Sequence, residues 1–168
     1  MGSGKGTGVV MGGTGTLMLN SVDISNVGGS GTGKYGVQMT GEGTMVMNMV
    51  GISGFEKGVS ASNGTVMLNG GSAIMVKSGG TGLEVKDTAN AILMGTTIKV
   101  KGSGSKGMQM GSSKTLKMMK EVRISDVTTG VQVRKGILAV KGGEIEFTRD
   151  HGIYLDKGGV AFLGEVNF

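Results

Sequence analysis

A four-residue pattern, glycine followed by apolar, any residue and apolar, recurs seven times along this chain. The copies begin at Gly8, Gly36, Gly58, Gly82, Gly107, Gly130 and Gly152, so the period is roughly 22–28 residues. Self-similarity at a period of this length marks a solenoid, in which each repeat is one supersecondary unit stacked on the next. Each copy carries a second apolar segment shortly after the first, such as Thr16-Leu-Met-Leu-Asn20, Thr44-Met-Val-Met-Asn48 and Thr65-Val-Met-Leu-Asn69. The fifth of these, Thr115-Leu-Lys-Met-Met119, has an ambiguous register. A third short segment is marked by Ile24, Ile52, Ile74, Ile98, Ile124, Ile145 and Phe168.

Apolar and variable positions alternate within all three segments, which is β periodicity, and none is long enough for an amphipathic helix. The asparagine ladder and leucine spacing of a leucine-rich repeat are missing. The spacing therefore predicts an all-β fold: a right-handed parallel β-helix, a solenoid of about seven three-stranded coils of roughly 22–28 residues each. Residues 1–168 form a single repeat domain. Neither end shows the polar or helical cap that usually protects a solenoid edge. The expectation is a segment of a longer solenoid, monomeric and with open ends.

Composition agrees. There are 36 glycines but no proline, and glycine does not fall at every third position, so collagen is excluded. With 38% apolar and 17% charged residues the chain does not suit disorder. Four Phe, two Tyr and no Trp leave the core to aliphatic side chains and to 14 methionines, read here as core filler. Asn20, Asn48 and Asn69 fall at equivalent corners, where asparagine tolerates a left-handed backbone and can bond its stacked neighbours. The repeat glycine allows either positive φ or close approach of coils. Gly28-Gly-Ser-Gly-Thr-Gly33 reads as a loop insertion.

Several chemistries find no support. The chain has no cysteine, hence no disulfide framework and no thiolate metal site. Glycine strings such as Gly12-Gly-Thr-Gly15 lack the Gly-Lys-Ser/Thr ending of a phosphate loop. No apolar run reaches the ~20 residues of a membrane-spanning helix, so no membrane insertion of this segment is expected. Glycoside hydrolysis needs two converging carboxylates. The 12 acidic residues are instead scattered, and the outward middle position of the first strand reads Val10, Gln38, Ser60, Glu84, Gln109, Gln132, Tyr154. The best catalytic candidate is Arg149-Asp150-His151 with Tyr154 and Asp156. However, His151 occupies a turn position filled elsewhere by Tyr35, Lys57, Thr81, Lys106 and Thr129. The sequence thus points to no catalytic residue, no metal, no cofactor and no enzyme.

The bases are more informative. A net charge of +5 favours acidic partners. Many of the basic residues lie between Lys99 and Lys141, opposed there only by Glu121 and Asp126. Lys77 and Lys101 occupy the same position relative to Ile74 and Ile98, hence they fall on neighbouring coils. The candidate binding set is Lys77, Lys99, Lys101, Lys117, Lys120, Arg123, Arg134 and Lys135. Stacked into a stripe, these suit a linear polyanion such as a sulfated glycan. Charge reversal at Lys117, Lys120 and Arg123 is then expected to abolish retention on heparin. Nucleic acid is not expected, because aromatic residues for base stacking are missing from the stretch. The bland alternative is that these lysines serve solubility and edge protection.

Gly-Thr-Leu-Met-Leu-Asn-Ser-Val-Asp-Ile-Ser (15–25) and Gly-Thr-Val-Met-Leu-Asn-Gly-Gly (64–71) resemble passenger domains of bacterial type V autotransporters. Val-Lys-Gly-Gly-Glu-Ile-Glu-Phe-Thr (140–148) and Gly-Ile-Tyr-Leu (152–155) fit the same pattern. The likeness is nearest to the Bartonella autotransporters, including the angiogenic-factor group. It covers nearly the whole chain but rests on repeat pattern alone. It implies a passenger that is secreted or displayed at the outer membrane and acts in virulence. Such a passenger would bind a host cell-surface receptor or sulfated glycan, as an adhesin or a pro-angiogenic, receptor-activating factor. Two other roles stay open: a fragment of a carbohydrate-active β-helix lyase or hydrolase, and a structural spacer.

Overall fold

A computed structural model describes residues 6–26 and 33–168. The fold is an all-β, parallel-strand solenoid of about five turns, with no helix among the described residues. The strands are β1 (Thr7–Met11), β2 (Thr16–Asn20), β3 (Asp23–Ser25), β4 (Gly33–Met39), β5 (Thr44–Asn48), β6 (Gly51–Ser53), β7 (Phe55–Ala61) and β8 (Thr65–Asn69). They continue as β9 (Ala73–Val76), β10 (Thr81–Asp87), β11 (Asn90–Leu93), β12 (Thr97–Val100), β13 (Lys106–Ser112), β14 (Thr115–Met118) and β15 (Arg123–Asn167). The predicted loop over 28–33 falls outside the described residues except for Gly33, which opens β4.

Every pairing between these strands is parallel and joins each strand to its counterpart one repeat on. The first ladder runs β1-β4-β7-β10-β13-β15, the second β2-β5-β8-β11-β14-β15, and the third β3-β6-β9-β12-β15. The register is the one the repeat implies. Val9 faces Val37, Val59 faces Leu83, and Leu83 faces Met108. In the third ladder Ile24, Ile52, Ile74, Ile98 and Ile124 stack in one column. The ambiguous strand resolves as Leu116 and Met118 inward and Lys117 outward.

The core is a column of aliphatic side chains with Phe55 near one end. Met39, Met45, Met47, Met108 and Met110 are fully buried in it. Each such side chain contributes about 1.5–3 kcal/mol relative to exposure. Not all methionines are core filler, however. Met18, Met49, Met75 and Met94 lie on the surface.

The repeat glycine has a definite cause. A Cβ on Gly36, Gly58 or Gly82 would lie 2.3 Å from the Cγ2 of Ile52, Ile74 or Ile98, and within 2.7 Å of the carbonyl oxygen of the next repeat glycine. These glycines do not have positive φ. They are required because the third-strand isoleucine packs into the space a side chain would take. Positive φ occurs instead at the corners, just beyond the asparagines, at Ser21 (54°), Met49 (51°) and Gly70 (59°). The asparagines bond along the stack, Asn48 Nδ2 donating to Asn20 Oδ1 at 2.8 Å.

Candidate functional site

The register disperses the basic residues singled out in the sequence. Lys77 and Lys101 do fall side by side, following the paired residues Val76 and Val100. Lys99 and Arg123 lie on the third ladder, and each is already paired: Lys99 with Asp126 at 3.3 Å and Arg123 with Glu144 at 3.1 Å. Lys117 projects from the second ladder, and Lys120 lies in the turn beyond it. Arg134 and Lys135 follow Val133 on the first ladder. The set surrounds the solenoid and forms no single stripe.

A different group converges on the outer face of the first ladder. One outward column reads Thr7, Tyr35, Lys57, Thr81, Lys106, Thr129, and the next reads Val10, Gln38, Ser60, Glu84, Gln109, Gln132. A third position places Lys86 beside Gly111. Lys57 and Lys106 are two repeats apart on one column, about 9.6 Å along the axis at ladder spacing. Both columns are visible in the repeat pattern, but the sequence gives no sign that Lys57 of one column reaches Glu84 of the other.

Glu84 is the centre of this face. Its side chain points outward, yet the residue is only 8% exposed. Lys57 Nζ donates to it at 2.5 Å, Ser60 Oγ donates at 3.1 Å, and Lys86 Nζ stands 3.6 Å away. Burial works to raise its pKa, but the bond and charge of Lys57, with Ser60 and Lys86, outweigh burial and hold it below the ordinary value. Lys57 also lies 5.8 Å from the centre of the Tyr35 ring, with Lys34 at 5.1 Å, both within cation–π range.

The pKa of Lys106 is lowered too, but for a lysine this disfavours the charged form. Burial, and then the positive charges of Arg134 and Lys57, lower its pKa, and Glu84 offsets them only in part. The face therefore holds cations that repel one another, an arrangement that favours a bound anion over an empty surface. Replacing Lys106 with Gln should raise the melting temperature by about one to two degrees, most at low salt. A melting temperature lowered at low salt would contradict the repulsion.

Two depressions mark the face. One, of about 370 Å³, is bordered by Glu84, Lys86, Gln109, Arg134 and Lys135. The other, of about 360 Å³, is lined by Lys106, Gln132, Arg134, His151, Tyr154 and Asp156. Arg134 borders both. His151 and Tyr154 have ring centres 5.1 Å apart and tilted by 56°. Asp150, next to His151, is exposed and does not line the depression. A larger hollow of about 520 Å³ lies over the third ladder, lined by Glu121, Glu144, Glu165 and Arg123 among others. Its arginine is the one held by Glu144, so it offers no uncommitted cation to an anion. Among the described residues no group of three acidic or histidine side chains is placed to hold a metal ion. The first-ladder face is thus suited to holding anionic groups spaced along the axis, with polar amides and one exposed aromatic ring between them. No family model, no curated protein and no solved structure matches this chain.

Proposed function

We propose that this chain is a non-enzymatic binding segment whose first-ladder face receives a linear acidic glycan of a host cell surface. The observation that carries the proposal is a row of cations on one face: Lys57 and Lys86 held by the buried Glu84 carboxylate, and Lys106 and Arg134 further along it, with no carboxylate paired to them among the described residues. Cations spaced along the axis, with Lys106 facing the like charges of Arg134 and Lys57, match a polymer of repeating negative charge. The resemblance to autotransporter passengers supplies the setting: a secreted or outer-membrane-displayed segment that acts in adhesion. A host receptor protein bearing such a glycan falls within the same reading.

We also propose that β15 continues the solenoid, giving seven right-handed, three-stranded coils in all. In support, a Cβ on Gly130 would meet Ile145 Cγ2 at 2.3 Å, and one on Gly152 would meet Phe168 Cδ1 at 2.4 Å. The first repeats the glycine–isoleucine contact of the earlier turns, and in the second Phe168 takes the place of the isoleucine. On this division His151, Tyr154 and Asp156 extend the columns that contain Thr129, Gln132 and Arg134.

Retention on heparin with elution by salt tests the function. Reversing charge at Lys106 and Arg134 together should move elution to markedly lower salt. Reversal at Lys117, Lys120 and Arg123 should move it much less, because those residues lie on other faces and Arg123 is paired. Equal effects from the two sets would mean that only net charge matters, and would sink the assignment to this face. A second reading draws on His151, Asp156 and Lys106, which border one depression and could handle protons on an acidic sugar. Turnover of acidic polysaccharides would favour that reading over a binding segment.

A further inference from the structure

The depression between Lys106 and Tyr154 contains one feature that the surrounding charges do not explain. The Gln132 side-chain oxygen is shielded from solvent and has no hydrogen-bond partner among the described residues. Leaving such an acceptor unpaired costs about 1–3 kcal/mol, and it calls for an explanation where it occurs. Gln132 stacks on Gln109 in the outward column and lines the same depression as Lys106 and Arg134. Tyr154 lines the same depression, 41% exposed, its ring tilted against His151.

We infer that this depression is a subsite for one acidic sugar unit of the polymer, with Gln132 as its hydroxyl-reading group and Tyr154 as its stacking platform. The inference rests on the proposed glycan-binding function and gives it a location. Lys106 and Arg134 neutralise the sulfate or carboxylate. A bound sugar displaces the side chains that shield the Gln132 oxygen, which then accepts a hydrogen bond from a ring hydroxyl and gains its missing partner. The Tyr154 ring covers an apolar face of the sugar, as an amphipathic aromatic side chain can. Asp156, which lines the same depression, accepts from a second hydroxyl. At about 360 Å³ the space lies at the small end of ligand pockets, which suits one or two sugar units and not a longer oligomer. Sulfate and carboxylate share this chemistry, so both serve as probes.

The composition permits a direct test. The chain has two tyrosines and no tryptophan, so in a Tyr35→Phe variant all tyrosine emission comes from Tyr154. That variant is titrated with a trisulfated heparin disaccharide, with digalacturonate, and with uncharged cellobiose. The expected result is a saturable change in emission with one or both acidic disaccharides and none with cellobiose. Adding Gln132→Leu should weaken that binding by about tenfold, the loss of one buried hydrogen bond, while raising the melting temperature because the orphan acceptor is gone. Full-length heparin retention should change little in Gln132→Leu, since it depends on the cations. If heparin is retained through Lys106 and Arg134 but no acidic disaccharide perturbs Tyr154, the subsite is overturned and the binding face stands. If Gln132→Leu raises the melting temperature and leaves disaccharide affinity unchanged, the role of Gln132 is overturned. Failure of heparin to be retained at all overturns the function on which the subsite rests.

Discussion

Replacing Gly82 with Ala is expected to lower stability by about 3 kcal/mol, or roughly 6–12 °C in melting temperature for a chain of this size. The added methyl would lie 2.3 Å from Ile98 Cγ2 and 2.6 Å from the carbonyl oxygen of Gly107. Real Cβ atoms do not approach other atoms so closely, so the coils must separate locally or Ile98 must leave its place in the core. The backbone conformation contributes nothing to the cost, because Gly82 does not have positive φ. Gly13 is the matched control. Nothing lies within 4 Å of its Cβ position, and Gly13→Ala should be neutral or stabilise by up to about 1 kcal/mol through the unfolded chain. Pairing Gly82→Ala with Ile98→Ala separates the two collisions. The double variant should be less destabilised than the sum of the single changes, because the Cγ2 contact is removed while the carbonyl contact remains. Thermal and urea unfolding of the parent, both single variants and the double variant measure this. Additive costs, or a Gly82→Ala variant within about 2 °C of the parent, would mean that the coils yield more easily than these distances allow.

The same glycine shows why the fold was legible. A residue type confined by sterics at one point of every turn leaves a mark at a regular interval, and the isoleucine it faces leaves another. Gly58 and Ile74, Gly82 and Ile98, and Gly107 and Ile124 are sequence signals of one contact seen from both sides. The corners were less legible. Asn20 and Asn48 mark where the chain bends, but positive φ falls on Ser21 and Met49, residue types that give no sign of it. The binding face was the least legible. Clustering along the chain is a poor guide to clustering in a solenoid, because a single turn consumes a long stretch of sequence and passes all sides of the molecule. Lys99, Lys117 and Lys135 are near in sequence and stand on different sides. Lys57 and Lys106 are two full repeats apart in sequence and share one column. Taken repeat by repeat, that column looks like a freely varying turn. Its meaning depends on Glu84 in the adjacent column, which draws Lys57 and Lys86 inward.

Glu84→Gln should separate what holds this face together from what it binds. At neutral pH the variant is expected to lose about 1–2 kcal/mol of stability. Hydrogen bonds to charged groups are worth about 1.5–3 kcal/mol, and the side chains of Lys57 and Lys86, 30% and 44% exposed, can recover part of that by turning to water. The pH dependence follows from the sign of the shift. Folding lowers the Glu84 pKa from the usual value near 4.5, so its carboxylate contributes stability that is fully present above that value. This contribution is lost as pH falls through the lower, folded pKa. The difference between parent and Glu84→Gln should therefore be largest near pH 7 and should close under acid conditions. Urea unfolding at pH 7 and pH 3 measures both values. A difference that is the same at the two pH values would show that the amide fails for reasons of packing and not of charge. Binding should move in the opposite direction to stability. Without the carboxylate, Lys57 and Lys86 are released to the ligand and the face gains a net positive charge, so elution from heparin should require more salt. Unchanged or earlier elution would mean that these lysines act only on Glu84. The polyanion would then be held elsewhere, and the buried carboxylate would be a purely structural clamp.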